Sequence, residues 1–287
     1  MKISTEIASA ARKVGYEKAV ELVAEAGFDA WDLSMFDMVR INGALALAEP
    51  SDSPLCSDGY AAYVKNLKRI GNDNGIVCNQ AHAPFPSAFK NMEKYLLRAL
   101  ECTAIAGGKI CVIHPDNNRT AEENALMYER LLPFAHECGV KIAVENMWNW
   151  NNEADHASAA ACSSHDDFLR HLTVVNDDYL VACVDIGHAE MKGLDTSAPK
   201  MIRTLGKYVQ ALHIHDNDRW HDSHRIPFSM DIDFHAVVKA LKDIGYDGYF
   251  TLEADCHLAD FDKESTFKGL KELSAVAKKL ADEFDGL

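Results

Sequence analysis

Short apolar or β-branched runs recur along the chain, and between them lie longer stretches in which apolar residues return every three or four positions. The short runs predict strands at Lys2–Ile7, Phe28–Leu33, Ile76–Ala81, Ile110–His114, Lys141–Glu145, Leu180–Asp185, Val209–His213 and Tyr249–Glu253. The longer stretches predict helices at Glu17–Ala26, Tyr60–Asn74, Met92–Ala106, Ala121–Cys138, Asp166–Leu172, Pro199–Leu205 and Phe234–Ile244. Segments such as "HECGVKIAVEN" and "EAGFDAWDLS" pass from a helix end through a glycine turn into a strand. Eight such units predict an α/β fold, a (β/α)8 TIM barrel. No proline-, serine- or charge-rich linker interrupts the rhythm, so residues 1–287 are expected to form one domain.

Two connections are longer than a turn requires, residues 34–58 after the second strand and 147–165 after the fifth. Both follow strand C-termini, where a barrel builds its active site. Trp148 and Trp150 in the second loop either wall a pocket or cover the loop's own apolar core.

Ligand-type side chains sit at six successive strand ends. His82 ends "CNQAH", His114 ends "KICVIH" and Glu145 ends "KIAVE". Asp185 and His188 end "LVACVDIGH", His213 ends "VQALH" and Glu253 ends "YFTLE". A single histidine or glutamate after a strand is usually structural. Six converging on one barrel axis would bury unpaired charge, and a divalent cation removes that cost. Two Glu, one Asp and one His form a mixed oxygen and nitrogen set suited to Mn2+, Zn2+, Co2+ or Mg2+, with no thiolate offered. "ALHIHDNDRWHDSH" adds Asp222 and His224 to the histidines nearby.

Charge and cysteine usage narrow the classes. The formal net charge is −15, which argues against a nucleic-acid partner. The eight cysteines form no C-x-x-C pair, and Cys78, Cys111 and Cys183 lie in apolar runs. Buried thiols in a reducing, cytoplasmic compartment are therefore expected. No stretch has the length of a membrane span, and "MKISTEIASAARK" lacks a secretory apolar core.

In order and spacing, "HAPF", "IHP", "VEN", "DIGH", "HIHDND", "DSHRIP" and "LEA" resemble the xylose-isomerase-like TIM barrel superfamily. Those barrels include sugar-phosphate isomerases, ketose 3-epimerases, inosose dehydratases and the endonuclease IV enzymes (AP endonuclease family 2). The resemblance implies one divalent metal held by Glu145, Asp185, His213 and Glu253, with no nucleotide cofactor. It implies a sugar or polyol substrate contacted by His188 and Arg219, while Trp148, by its place in the loop, is the candidate stacking wall. Arg219 falls six residues after His213, as in the epimerases; otherwise it is a loop arginine paired with Asp216 or Asp218. His215 is expected to point the other way, into a supporting role.

The chemistry so implied is isomerisation or epimerisation, with Glu145 and Glu253 moving a proton through a metal-stabilised enediolate. Dehydration of a cyclitol or cleavage of a 3-keto glycoside could start from the same site. The endonuclease IV pattern offers a rival, a trinuclear-zinc phosphodiesterase, because His82, His114, Asp222 and His224 also match its ligands. Against it stand the acidic charge and a first strand, "KISTEIAS", without the Gly-x-His opening of those nucleases. "DSHRIPFSMDID" also resembles an H-x-x-P-G-x-G-x-I-D segment of sugar isomerases, but departs from its Gly-x-Gly, so this loop is expected to have its own geometry. No glycine-rich phosphate loop follows the last strands, which favours an unphosphorylated substrate. Barrels of this kind often pair, so a homodimer or homotetramer is expected.

Overall fold

The computed structural model describes all 287 residues. Eight strands run parallel to their neighbours around a barrel: β1 (Lys2–Glu6), β2 (Ala30–Ser34), β3 (Val77–His82), β4 (Ile110–Val112), β5 (Lys141–Glu145), β6 (Leu180–Asp185), β7 (Val209–His213) and β8 (Tyr249–Leu252). Their order is β7-β6-β5-β4-β3-β2-β1-β8. The ring closes at its upper end, where Ile214 N–H donates to Thr251 O and Glu253 N–H to Ile214 O, both at 3.0 Å. Lower down, β7 and β8 border a cavity of about 750 Å³ that also reaches Asn79 and Gln80.

Eight helices cover the barrel: α1 (Tyr16–Ala26), α2 (Tyr60–Asp73), α3 (Glu93–Ala106), α4 (Ala121–Cys138), α5 (His165–Val175), α6 (Ala198–Leu205), α7 (Phe234–Asp243) and α8 (Thr266–Gly286). Local sequence sets their ends. Thr120 and Glu123 form a reciprocal capping box at the start of α4, satisfying two N–H groups the first turn would leave free. Gly139, left-handed at φ 64, stops α4 and turns the chain into β5 at Lys141.

Strand and helix positions follow the sequence pattern to within three residues at each end, and β5, β6 and β7 coincide with it. The pattern left α8 unassigned, as well as the short helices Ala8–Val14, Ile186–Glu190 and Asp255–Ala259. Both long loops fold into antiparallel hairpins, Val39–Asn42 with Leu47–Pro50 and Asn149–Asn151 with His156–Ser158. All eight cysteines are free thiols. No helix is long and apolar enough to cross a membrane.

One large apolar core fills the space between barrel and helices. Inside the barrel the filling is divided. Val112, Ala143, Val181, Cys183 and Ala211, from β4–β7, make a small apolar cluster. Ser4, Asp32, Gln80 and Thr251, from β1, β2, β3 and β8, are buried and polar.

Candidate metal centre

Strand parity aims the ligand side chains. Residues two apart on a strand share a face, so in a barrel alternate residues point to the axis. Glu145, Asp185, His213 and His82 each close a strand, while Glu253 and His114 lie just beyond one. Glu145, Asp185, His213, His82 and Glu253 are buried and His114 nearly so.

Five overlapping groups of donors result, and in one of them Cys183 Sγ, near Glu145 and His213, offers a thiol where none was expected; three others hold every imidazole and carboxylate concerned. In the first, His114 Nε2 lies 2.9 Å from His82 Nε2, and Glu145 Oε2 lies 3.1 and 3.3 Å from those nitrogens. In the second, His213 Nδ1 is 3.1 Å from Glu145 Oε1 and 3.3 Å from Glu253 Oε2. Asp185 completes that group, with one donor atom from each residue within 4.8 Å of every other. In the third, Asp222 Oδ2 lies 3.2 Å from His188 Nε2 and 3.1 Å from His224 Nε2, and Asp222 Oδ1 lies 3.5 Å from His215 Nε2. Glu145 belongs to both the first and second groups, and His215 links the third to Asp185 at 3.1 Å.

The donors fit a divalent cation. Asp185 Oδ2 and Asp222 Oδ1 are buried with no hydrogen-bond partner, a state that costs free energy unless something else takes the lone pair. Carboxylate oxygens and imidazole nitrogens are the ligand mix of Mn2+, Zn2+ and Co2+.

Without a cation these groups neutralise one another. Burial raises the Glu145 carboxyl, but the His213 and His114 imidazoles outweigh it and hold the group well below the usual glutamate range. Burial lowers His188, yet Asp185 and Asp222 carry it up to about 10. His213 is likewise raised well above an ordinary histidine, by Cys183, Glu253 and Glu145 against the opposing effect of burial. Burial wins at His114, which is lowered, and at Glu253, which is raised.

Two sequence features shape the third group. Asp216, fully buried, accepts from Asn217 N–H and Ile232 N–H with Oδ1 (2.9 and 3.1 Å) and from Met230 N–H with Oδ2 (2.8 Å). It thereby pins both ends of the loop that carries Asp222 and His224. Gly187 of "DIGH" lies against the His215 ring, which any Cβ there would overlap. In the same loop Phe228 has φ 67 and His224 φ 40, conformations that favour glycine. In the H-x-x-P-G-x-G pattern the two glycine positions fall on Phe228 and Met230, and Phe228 has a left-handed backbone here.

Above the ligands opens a cavity of about 720 Å³, lined by His82, His114, Glu145, His188, Asp222, His224 and Glu253 together with aromatic side chains. Trp148 lies on its wall, its ring 6.4 Å from that of His188, whereas Trp150 stacks on His221 at 6.0 Å. Phe85 stacks on His114 at 4.7 Å, and Phe36 packs edge-on to His82 at the same distance.

The structure thus brings together Glu145, Asp185, His213, Glu253, His82, His114, His188, Asp222 and His224. It does not bring Arg219 to the cavity. That side chain is half exposed and pairs with Glu190 at 3.3 Å, not with Asp216 or Asp218. The expected outward turn of His215 is also corrected. His213 and His215 are two residues apart on an extended segment, and both face the axis. Sequence reasoning missed Glu6, buried at the end of β1 with its carboxylate accepting from Ser9 N–H at 3.1 Å. It missed Asp32 on β2 as well, 3.7 Å from His213 Nε2.

A family model described as xylose isomerase-like TIM barrel matches residues 20–279. The uncharacterized protein MJ1311 of Methanocaldococcus jannaschii is 25% identical over 288 aligned positions, covering 92% of this chain and 87% of its own. Among solved structures, a D-tagatose 3-epimerase-like protein superposes with TM-score 0.70 at 20% identity, covering 98% of this chain and 99% of that one. The 3-keto-D-glucoside 4-epimerase YcjR of E. coli superposes with TM-score 0.68 at 17% identity, covering 96% and 99%. At those identities the likeness establishes the fold alone.

Proposed function

Because the chain belongs to the xylose isomerase-like TIM barrel family, we propose that it is a divalent-metal-dependent sugar or polyol isomerase or epimerase working by proton transfer next to a carbonyl. One observation carries this. Glu145 and Glu253, from β5 and β8, meet at His213 Nδ1, both buried and both lining the 720 Å³ cavity. The solved epimerases that share this barrel support the substrate class.

Glu145, Asp185, His213 and Glu253 would hold the cation. When bound, Mn2+, Zn2+, Co2+ or Mg2+ supplies positive charge beside the substrate oxygen on which negative charge develops. The chain's own groups do the rest. One glutamate takes the proton from the carbon beside the carbonyl, and the C–H electron pair becomes the enediolate double bond. The other glutamate returns a proton to the opposite face, which inverts that carbon. If the proton returns instead to the former carbonyl carbon, and the hydroxyl proton of the adjacent carbon passes to the former carbonyl oxygen, the carbonyl moves and the product is the isomer. Without a cation, burial raises the Glu253 carboxyl, whereas the His213 and His114 imidazoles hold that of Glu145 low. His188 and Trp148 line the cavity where substrate hydroxyls and an apolar sugar face would lie.

The experiment is metal analysis followed by a panel of ketoses, 3-keto glycosides and cyclitols assayed in deuterium oxide. Wild type should incorporate deuterium at the carbon beside the carbonyl, and Glu253→Gln should lose that incorporation while folding normally. Incorporation that persists in Glu253→Gln removes Glu253 from the base role.

A second assignment, a trinuclear phosphodiesterase, is favoured by the adjacency of the His82–His114–Glu145, Glu145–Asp185–His213–Glu253 and His188–His215–Asp222–His224 groups, the first two of which share Glu145. Three ions per chain with hydrolysis of a phosphodiester would select it. One ion per chain with deuterium uptake into a sugar would select the isomerase.

A further inference from the structure

Beneath the ligands, the polar half of the barrel interior ends on Asp32. This residue is fully buried and its Oδ1 has no partner. Its Oδ2 accepts from Gln80 Nε2 at 2.9 Å and lies 3.7 Å from His213 Nε2, which is also without a hydrogen bond. The opposite edge of that imidazole, Nδ1, faces Glu145 and Glu253.

The Gln80 amide is locked. Its Nε2 also donates to Leu212 O at 3.4 Å, and its Oε1 accepts from Thr251 Oγ1 at 3.2 Å and Asn79 Nδ2 at 3.3 Å. Ser4 Oγ donates to Asn79 Oδ1 at 2.6 Å and extends the network to β1. An amide held this way presents only N–H to Asp32, so Asp32 must accept there. A neutral imidazole offers a lone pair on one nitrogen and a proton on the other. A carboxylate beneath Nε2 selects the proton for that side. Burying such a carboxylate costs several kcal/mol of desolvation, on the order estimated for ions in protein interiors, which a purely packing role for Asp32 does not explain.

We propose that Asp32 is a positioning residue of the centre: its carboxylate, 3.7 Å from His213 Nε2, favours the proton on that nitrogen and leaves Nδ1 free for a divalent cation. The proposal rests on His213 being a metal ligand, as in the function proposed above. Carboxylate–histidine pairs of this kind typically change metal affinity by about 10–100-fold.

The test uses the full-length chain. Asp32→Asn keeps an oxygen acceptor and removes the charge, while Asp32→Leu removes both. Zn2+ and Mn2+ affinities, measured by competition with a chelator, should fall about tenfold in Asp32→Asn and by up to about 100-fold in Asp32→Leu. The second readout is the His213 Nε2-bound proton in 1H–15N spectra, recorded on metal-free and Zn2+-loaded protein. It should be downfield and slow to exchange in wild type, shifted in Asp32→Asn and lost to exchange in Asp32→Leu. If wild type takes up no cation, the metal-dependent function fails while the metal-free spectrum still reports on Asp32. An unchanged affinity, or without metal uptake an unchanged resonance, in folded Asp32→Asn overturns the proposal, and that variant decides the matter should Asp32→Leu not fold.

Discussion

Glu6 gives the sharpest energetic test of the barrel mouth. It ends β1 with 2% of its surface exposed, and its carboxylate accepts only from Ser9 N–H (3.1 and 3.3 Å) and, weakly, from Ser34 Oγ at 3.5 Å. Burial pushes its pKa from 4.5 to about 7, with Asp255 and Glu253 adding to the rise and the Ser9 contacts opposing it. A carboxyl whose folded pKa is raised contributes its full stability below pH 4.5 and loses it as pH climbs through about 7. A difference of about 2.5 units at 1.36 kcal/mol each corresponds to about 3 kcal/mol above pH 8. Glu6→Gln keeps an acceptor for Ser9 and removes the charge. In chelator, to exclude any cation, guanidinium denaturation across pH 4–9 should show the variant gaining on wild type steadily from pH 4.5 to 7. The gain should then level off at up to about 3 kcal/mol, less whatever the unpaired amide N–H costs. A stability difference that does not vary with pH would refute the reasoning, because only differential ionisation of Glu6 produces that slope.

Other substitutions probe the third donor group. Gly187→Ala places a methyl on the His215 ring and should cost about 1–3 kcal/mol through overpacking. It should also break the His215–Asp185 contact, so that cation binding at the third group weakens while binding at Glu145 persists, as read by metal titration. Asp216→Ala leaves three backbone N–H groups without their acceptor and should cost about 3 kcal/mol or more. Limited proteolysis should then cut within residues 217–231 faster than in wild type.

How far the sequence carried depended on contrast. β5, β6 and β7 consist mostly of Val, Ile, Ala and Leu, broken only by Lys141, Cys183 and Gln210, and stop at Glu145, Asp185 and His213, so the terminal polar residue stands out. "KISTE" offers no such contrast. Ser4 and Thr5 are polar in sequence yet both are buried, and nothing in the run sets Glu6 apart from them. "AWDLS" is buried on both faces, which leaves parity alone to aim Asp32, and parity is fixed only once the neighbouring strands set the register. Arg219 was placed by its interval from His213, but a loop with three positive-φ residues (Arg219, His224, Phe228) does not project side chains by interval. The helix α8 completes the eighth βα unit that a (β/α)8 barrel calls for, and the sequence pattern assigns only seven helices.

The same donors satisfy the site with and without a cation, and that double use explains how so many ionisable groups stay buried in one place. Without metal, the carboxylates of Glu145, Glu253, Asp185 and Asp222 favour the protonated forms of His213 and His188 against the opposing effect of burial. Each pair offsets a desolvation cost that neither partner could bear alone. A divalent ion entering at Glu145 and Asp185 needs the imidazole lone pairs, so it replaces protons on His213 as it binds. Positive charge in the pocket is exchanged for positive charge, and the carboxylates keep a counter-ion throughout. Asp222 Oδ1 and Asp185 Oδ2 are the two carboxylate oxygens of these groups that this arrangement leaves without a partner. Both lie at the junction of the second and third groups, where His215 contacts both residues. That junction is therefore where the metal-free network is least complete, and where the number of bound ions, on which the choice of isomerase or phosphodiesterase turns, will be decided.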